Sequence, residues 1–336
     1  MSEVGKSITQ FIIEQQRIYK NSTGEMTGLL NDIVSACKKI SHLVNRSSII
    51  GIGGVADSEN IQGEKQKKLD IITHDVMVDH LNWTGHLAAM ASEEIEEIIQ
   101  IPANLPKGQY LIAFDPLDGS SNIDINLSVG TIFSILRCPE GITQPTVNDF
   151  MQKGTEQVCA GFCVYGPTTM MILTTGQGVN GFTLDRDVGE FILTHPNMMI
   201  PEDTAEFAIN MSNQRFWEVP VQRYIEECLQ GVDGVREKNF NMRWVASMVA
   251  EVYRVLTRGG IFMYPLDTKS TTQGGKLRLL YEANPMSFIV EQAGGLSSTG
   301  YQRIMAIQPE GVHQRVPVIL GSKNEVERVI YYHKST

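Results

Sequence analysis

The stretch Tyr110-Leu111-Ile112-Ala113-Phe114-Asp115-Pro116-Leu117-Asp118-Gly119-Ser120-Ser121-Asn122 decides the reading of this chain. Five apolar and aromatic residues make a short run of the kind that forms a buried strand. The run ends in Asp115, Asp118 follows three residues later, and a loop of small residues comes next. Two carboxylates at one strand end can converge on a hard cation, and Mg²⁺ takes carboxylate, carbonyl and water oxygens. The turn between them can aim the Leu117 carbonyl the same way. Gly119, Ser120 and Ser121 then offer backbone N–H groups and hydroxyls, the donors a phosphate requires. Asp-Pro and Asp-Gly are also ordinary turn dipeptides, so the stretch by itself is equally consistent with a plain turn.

Two further strand ends shift the balance. Leu87-Ala88-Ala89-Met90 runs through Ala91-Ser92 into Glu93-Glu94, where one acid can bridge metals and the other can face an attacking water. Read singly, with Glu96 and Glu97 behind it, this is a solvated charge run. Lys276-Leu277-Arg278-Leu279-Leu280 is an expected strand that leads through Tyr281 to Glu282, just before Asn284-Pro285 opens a helix. There Lys276 and Arg278 alternate outward and can reach a phosphate, or Glu282 merely complements the helix dipole. Acids at three strand ends are poorly explained as three accidents. Gathered without metal, such carboxylates repel one another and their pKa values rise; with divalent ions they become ligands.

Working outward, apolar spacing predicts a helix from near Ser7 and a second carrying Met26, Leu29, Leu30, Ile33, Val34, Cys37 and Ile40 on one face. A turn is expected at residues 21–25, a polar surface loop at Glu59–Lys68, and a third helix at Asp70–Trp83. Strands are expected at His86–Met90, Tyr110–Phe114, Gly130–Arg137, Met170–Thr174, Gly181–Leu184 and Phe207–Asn210. Helices return at Val221–Leu229 and Met242–Thr257. The helix opened by Asn284-Pro285 closes at Gly294-Gly295, and a capping box, Ser322-x-x-Glu325, starts the last helix. The class is mixed α/β. A composition shift near residues 195–205 suggests two domains, 1–200 holding the metal site and any regulatory site, and 201–336 binding substrate.

With 336 residues, 42% apolar and 20% charged, the chain has the composition of an ordinary globular protein. It lacks the roughly 18 continuous apolar residues of a membrane span, and its start does not read as a signal peptide. Five scattered cysteines argue against a disulfide framework and for a reducing cytoplasm. A net charge of −10 disfavours nucleic acid and anionic membranes as partners. Gly51-Ile52-Gly53-Gly54 is too short for a dinucleotide fingerprint. Cys159 and Cys163 lack the second pair a zinc site needs. There is no His-Glu-x-x-His, and no Gly-x-Ser-x-Gly for a serine nucleophile.

The three acid-tipped segments, in this order, resemble the lithium-sensitive, metal-dependent sugar and inositol phosphatases. Phe114–Asp124, Gly130-Thr131-Ile132-Phe133, Gly259–Pro265 and Lys276–Pro285 resemble class I fructose-1,6-bisphosphatases, and the similarity runs from Thr23-Gly24-Glu25 to His313-Gln314-Arg315. The resemblance implies a layered αβαβα fold, a homotetramer, and hydrolysis of the 1-phosphate of fructose 1,6-bisphosphate in gluconeogenesis. It implies two or three Mg²⁺ ions, replaceable by Mn²⁺, on Glu93, Asp115, the Leu117 carbonyl, Asp118 and Glu282. Asp70 and Glu94 match the pair that, with Glu93, activates the attacking water. Asp118, Gly119, Ser120, Ser121, Asn210, Tyr264, Lys276 and Arg278 match substrate contacts, and Arg243 matches a residue that enters a neighbouring subunit's site.

There are departures. Glu64 stands where the family often has Asp. Trp244 and Asn213 replace tyrosines near the 6-phosphate, which keeps a sedoheptulose-1,7-bisphosphatase or dual activity open beside a remote alternative, an inactive phosphosugar-binding regulator. Many members are inhibited by AMP. Here Thr23, Gly24, Thr27 and Tyr110 match its binding turn and strand, but Gln109 replaces a lysine that would face the AMP phosphate, so weak binding is expected.

Overall fold

Residues 4–18, 24–59 and 65–335 are described by a computed structural model. Two helices, α1 (Ile8–Ile18) and α2 (Glu25–Arg46), open the chain. A ribbon of β1 (Val55–Glu59) and β2 (Lys65–Lys67) leads into α3 (Lys68–Leu81). The ribbon corrects the loop expected at Glu59–Lys68 at its two ends only, where Glu59 pairs with Lys65 and Lys67 with Val55; residues 60–64 lie outside the described residues. Glu64 and Thr23 lie outside the described residues.

An eight-stranded sheet follows. Its strands are β3 (Leu87–Ser92), β4 (Ile99–Gln100), β5 (Tyr110–Asp118), β6 (Val129–Arg137), β7 (Cys159–Tyr165), β8 (Thr169–Thr174), β9 (Asn180–Asp185) and β10 (Glu190–His195). Their spatial order is β10-β9-β8-β7-β6-β5-β3-β4, with the single-turn α4 (Val147–Phe150) between β6 and β7 in the chain. Strands β3 and β5 run parallel and pair Ser92 with Phe114. Glu93 and Asp115, the next residue on each, therefore emerge side by side at one end of the sheet.

The second half builds a five-stranded sheet from β11 (Glu206–Ala208), β12 (Asn241–Met242), β13 (Ile261–Tyr264), β15 (Leu296–Ser298) and β17 (Val318–Gly321), and a small pair from β14 (Leu277–Arg278) and β16 (Arg315–Val316). Its helices are α5 (Val219–Leu229), α6 (Met248–Arg258), α7 (Asn284–Gln292) and α8 (Lys323–Ser335). Among the described residues, three of the four apolar clusters stack these parts. Leu29, Ile33 and Met77 from α2 and α3 pack on Phe114 and Phe133 of the large sheet. On its other face Ile132, Phe162 and Ile172 meet Val252 of α6, Ile289 of α7, and Phe262 and Leu320 of the small sheet. The far face of the small sheet packs Ile261 and Ile319 on Tyr224 of α5 and Val329 of α8. The result is the layered αβαβα order.

Three local expectations give way. The helix expected at Met242–Thr257 starts at Met248, because Ala246 takes a left-handed φ of 58° that no helix can hold. The strand expected at Lys276–Leu280 is two residues long and passes into one turn of π-helix, Leu279–Ala283, so Glu282 rides on a widened turn rather than a strand tip. The Ser322 capping box does not form. The Ser322 hydroxyl accepts from the Gly260 N–H at 3.1 Å, and the Glu325 carboxylate is buried against Arg236 and Tyr224.

Candidate active site

Strand β5 does not run straight to its end. Asp115 pairs with Ile132 and Asp118 with Gly130, so three steps on β5 face two on β6. On a regular strand, residues three apart point to opposite faces. The extra residue resets the alternation and turns both carboxylates to one side. The turn is held from within, since the Leu117 N–H donates to Asp115 Oδ1 at 2.9 Å. Carboxylate oxygens of Asp115, Asp118 and Glu282 come within 4.8 Å of one another, and all three residues are buried.

Asp118 is fixed by the second half of the chain. Its Oδ2 accepts from the Ser247 hydroxyl at 2.9 Å and the Val249 N–H at 3.0 Å, at the start of α6. Gly119 makes this approach possible: its φ is 74°, and a Cβ there would lie 2.8 Å from Ser247 Cβ. Behind the loop, the Asn122 amide donates to the Val245 carbonyl at 2.8 Å, and the Glu251 carboxylate accepts the Val245 N–H at 2.8 Å.

Arg278 inserts its guanidinium among the acids, 2.9 Å from Glu93 and 3.8 Å from Glu282. The backbone N–H of Arg278 also donates to Glu282 Oε2 at 2.6 Å. Burial, then the charges of Glu93, Asp118 and Glu282, push the Asp115 carboxyl well above the usual range. Burial, reinforced by Glu282, lifts Asp118 to about 7 despite its hydrogen bonds from Val249 and Ser247. A donor set that resists ionisation when bare, and that offers only hard oxygens, suits divalent cations of the Mg²⁺ type.

These groups line a cavity of about 290 Å³. Asp70, Glu93, Glu94, Asp115, Leu117, Asp118, Gly119, Ser120, Ser121, Tyr264, Lys276, Arg278 and Glu282 all border it. Asp70 Oδ2 accepts the Lys67 N–H at 2.6 Å at the start of α3. The Glu94 N–H points to Ser92 Oγ at 3.3 Å, and that hydroxyl also meets His74 at 2.8 Å. Tyr264 stands in an aromatic cluster, with Trp244 at 5.2 Å and Phe262 at 5.5 Å between ring centres. Burial, with the charges of Asp118 and Glu282, pushes its phenol up, so it serves as a donor.

Two expected residues do not border this cavity. Arg243 turns to Glu206 at 3.1 Å with half its side chain exposed. Asn210 Oδ1 accepts from the Ser212 N–H and hydroxyl at 3.2 and 2.6 Å. Asn213 takes a hydrogen bond from Lys269 at 3.0 Å. Sequence reading missed Ala246, Met248, Ser247 and Val249; only the Ser247 position before an amphipathic helix carried a local signal, that of an N-cap.

At the far end of β5, Gly24 holds a left-handed φ of 87° ahead of α2, and Thr27 donates to Gln16 at 2.5 Å. Tyr110 is buried under the Arg137 guanidinium, 5.5 Å from its ring centre. Burial, with the Glu25 charge contributing, raises its pKa against the opposing Arg137 charge.

Residues 6–196 match the family of fructose-1-6-bisphosphatase N-terminal domains, and residues 200–334 the family of the C-terminal domains. The chain is 60% identical over 334 residues to a class 1 fructose-1,6-bisphosphatase of Halorhodospira halophila (strain DSM 244 / SL1), covering 98% of this chain and 99% of that one. Among solved structures, Leishmania major fructose-1,6-bisphosphatase in holo form superposes with a TM-score of 0.92 at 39% identity, covering 98% of this chain and 99% of that one. The same enzyme in the T-state gives 0.88 at 38% identity, covering 99% of each chain.

Proposed function

The chain belongs to the fructose-1,6-bisphosphatase family, and from that premise we propose how its residues carry the reaction. It is a phosphoric monoester hydrolase that converts fructose 1,6-bisphosphate to fructose 6-phosphate in gluconeogenesis. The observation that carries the site assignment is the meeting of Asp115, Asp118 and Glu282 within 4.8 Å beside the Gly119–Ser121 loop.

Glu93, Asp115, the Leu117 carbonyl, Asp118 and Glu282 would hold two or three Mg²⁺ ions, with Mn²⁺ able to substitute. Such ions supply fixed positive charge to the phosphoryl oxygens and acidify a water. The Gly119–Ser121 loop receives the 1-phosphate through N–H and hydroxyl donors, and Lys276 and Arg278 add charge-assisted contacts. Asp70 and Glu94 border the same cavity and accept the proton of the attacking water. Tyr264 and Asn210 bind the sugar and its 6-phosphate. Arg243 reaches the 6-phosphate of a neighbouring subunit in a homotetramer; its half-exposed position away from this cavity is consistent with that.

In this reading residues 1–200 form the metal and regulatory half and 201–336 the substrate half. AMP binds weakly at a site to which the resemblance assigns Thr23, Gly24, Thr27 and Tyr110. A cytoplasmic location accords with five free cysteines; among the described residues no helix is long and apolar enough to cross a membrane.

The test is phosphate release from a panel of sugar mono- and bisphosphates, including sedoheptulose 1,7-bisphosphate, with Mg²⁺ and with EDTA. Fastest release from fructose 1,6-bisphosphate, abolished by EDTA and restored by Mg²⁺, is expected. Undiminished release in EDTA would remove the metal assignment, and a preference for another sugar would remove the specificity.

A further inference from the structure

The bulge that brings Asp115 and Asp118 together has its own support. Thr131 lies on β6 opposite the extra residue, between the Gly130 and Ile132 partners of Asp118 and Asp115. It is fully buried, and its hydroxyl donates to the Pro116 carbonyl at 2.9 Å. That hydroxyl has one hydrogen, and a carbonyl can only accept. The contact of 2.7 Å between Thr131 Oγ1 and the Tyr165 hydroxyl must therefore be donated by Tyr165. Tyr165 reaches Thr131 diagonally, because β7 pairs Cys163 with Thr131 and Tyr165 with Val129. Burial, with the nearby Cys37 and Cys163 thiols, pushes the Tyr165 phenol well up, so it remains a donor.

We propose that Thr131, oriented by Tyr165, is a buried brace that sets the Asp115–Asp118 bulge and so tunes the affinity of the site for divalent cations. Both are positioning residues, and neither borders the cavity. A bulge leaves a backbone group outside the ladder. In a buried sheet that group needs a partner. The Pro116 carbonyl finds one in Thr131, directly between the two aspartates. Without the hydroxyl the carbonyl is left buried and unbonded, and the cheapest relief is a shift of the Pro116-Leu117 turn that carries the ligands. The aspartates would then present their oxygens at the wrong spacing, although the sheet around them stays paired. The proposal rests on the reading of Asp115 and Asp118 as metal ligands.

The experiment is Mn²⁺ binding to the full-length protein, followed by electron paramagnetic resonance in the absence of substrate, beside thermal unfolding in EDTA. The variants are Thr131→Val, Thr131→Ser, Tyr165→Phe and, as a control, Asp118→Asn. Thr131→Val keeps the shape and loses the hydroxyl; Mn²⁺ affinity should fall about tenfold. Thr131→Ser should stay within about twofold of the parent, and Tyr165→Phe, which loosens the brace at one remove, should lose about threefold. Affinity unchanged in both Thr131→Val and Tyr165→Phe, with Asp118→Asn binding poorly, overturns the brace alone. So does a loss in Thr131→Val that Thr131→Ser fails to reverse. Should Thr131→Val not fold, an unchanged affinity in Tyr165→Phe overturns it. Unchanged binding in Asp118→Asn overturns the metal reading and the brace with it.

Discussion

Asp118→Asn should do two opposite things, making the metal-free protein more stable at alkaline pH and the enzyme nearly inactive. Asp118 is buried, and its carboxyl sits near 7 instead of 3.8. Between about 3.8 and 7 the carboxyl therefore holds its proton in the folded, metal-free protein and has lost it in the unfolded chain. Stability from this group is fully present below about 3.8 and drains away as pH rises through about 7. At about 1.4 kcal/mol for each tenfold change in proton affinity, the rise from 3.8 to about 7 amounts to at most about 4 kcal/mol at pH 8. Asparagine keeps an acceptor for Ser247 and Val249 and carries no charge, so the variant escapes that cost. Folded proteins of 336 residues gain about 2.1 cal/mol/K per residue on unfolding, so the melting temperature in EDTA at pH 8 should rise by up to about 6 °C. The gain should shrink toward pH 4. Activity with saturating Mg²⁺ should fall at least about 10²-fold, because the cation positions both water and phosphoryl group. Calorimetry across pH in EDTA and a phosphate-release assay read the two effects. A variant no more stable than the parent at pH 8, or equally stabilised at pH 4, would refute the electrostatic argument. Near-normal turnover would refute the ligand assignment.

Other perturbations follow from the same geometry. Arg243→Ala should raise KM more than it lowers kcat, since a remote phosphate contact is uniform binding. Mixed oligomers with Asp118→Asn should recover activity, and no recovery with mixing confirmed by native mass spectrometry would refute the shared site. Gly119→Ala forces a left-handed φ and a 2.8 Å approach to Ser247. The Mg²⁺ concentration for half activity should rise about 5- to 30-fold, the equivalent of a strain of about 1–2 kcal/mol, and an unchanged Mg²⁺ curve would show the contact to be idle. Gln109→Lys should tighten AMP inhibition roughly 10- to 100-fold by adding a charge-assisted contact, measured as an inhibition titration at matched salt and Mg²⁺. Strong inhibition of the unaltered protein would instead show that Gln109 does not limit the site.

Much of this was legible in the sequence where the signal is local. Acids at the ends of three apolar runs were read as converging, and Glu93, Asp115, Asp118 and Glu282 do border one cavity; the helix spacing of Leu29, Leu30 and Ile33 survives as the α2 core. What sequence hid were arrangements that only distant partners create. Nothing near Asp118 announces Ser247 and Val249, which lie more than a hundred residues away and supply its hydrogen bonds. Strand β7 went unread because both its faces are buried: Cys-Ala-Gly-Phe-Cys-Val-Tyr has no polar alternation. Its Gly161 is needed because a Cβ there would lie 2.3 Å from the Phe133 ring. The π-turn at Glu282 was invisible for a different reason. Leu279–Ala283 has ordinary helix and strand formers, and the widened turn arises where the Glu282 carboxylate folds back on the Arg278 N–H.

The acids around this cavity outnumber its two bases, Lys276 and Arg278. The Arg278 guanidinium pairs with Glu93 and Glu282, and burial together with neighbouring carboxylates favours protonation of Asp115 and Asp118. Those two are the ones that the bulge in β5 turns to the same side. The backbone thus concentrates negative charge next to the Gly119–Ser121 loop. A fixed second arginine there would neutralise the aspartates, but it could not bridge them to an incoming phosphoryl group and a water at once. A divalent ion can, because it accepts several oxygens in its coordination shell. Proton and metal therefore compete for the same pair, and ionising Asp118 above about 7 favours the metal. Glu282 and the Ser247–Val249 anchor of Asp118 come from the second half of the chain, while Asp115 and Glu93 come from the first. A cation held by these residues would in this way also be a bond across the seam between the two sheets.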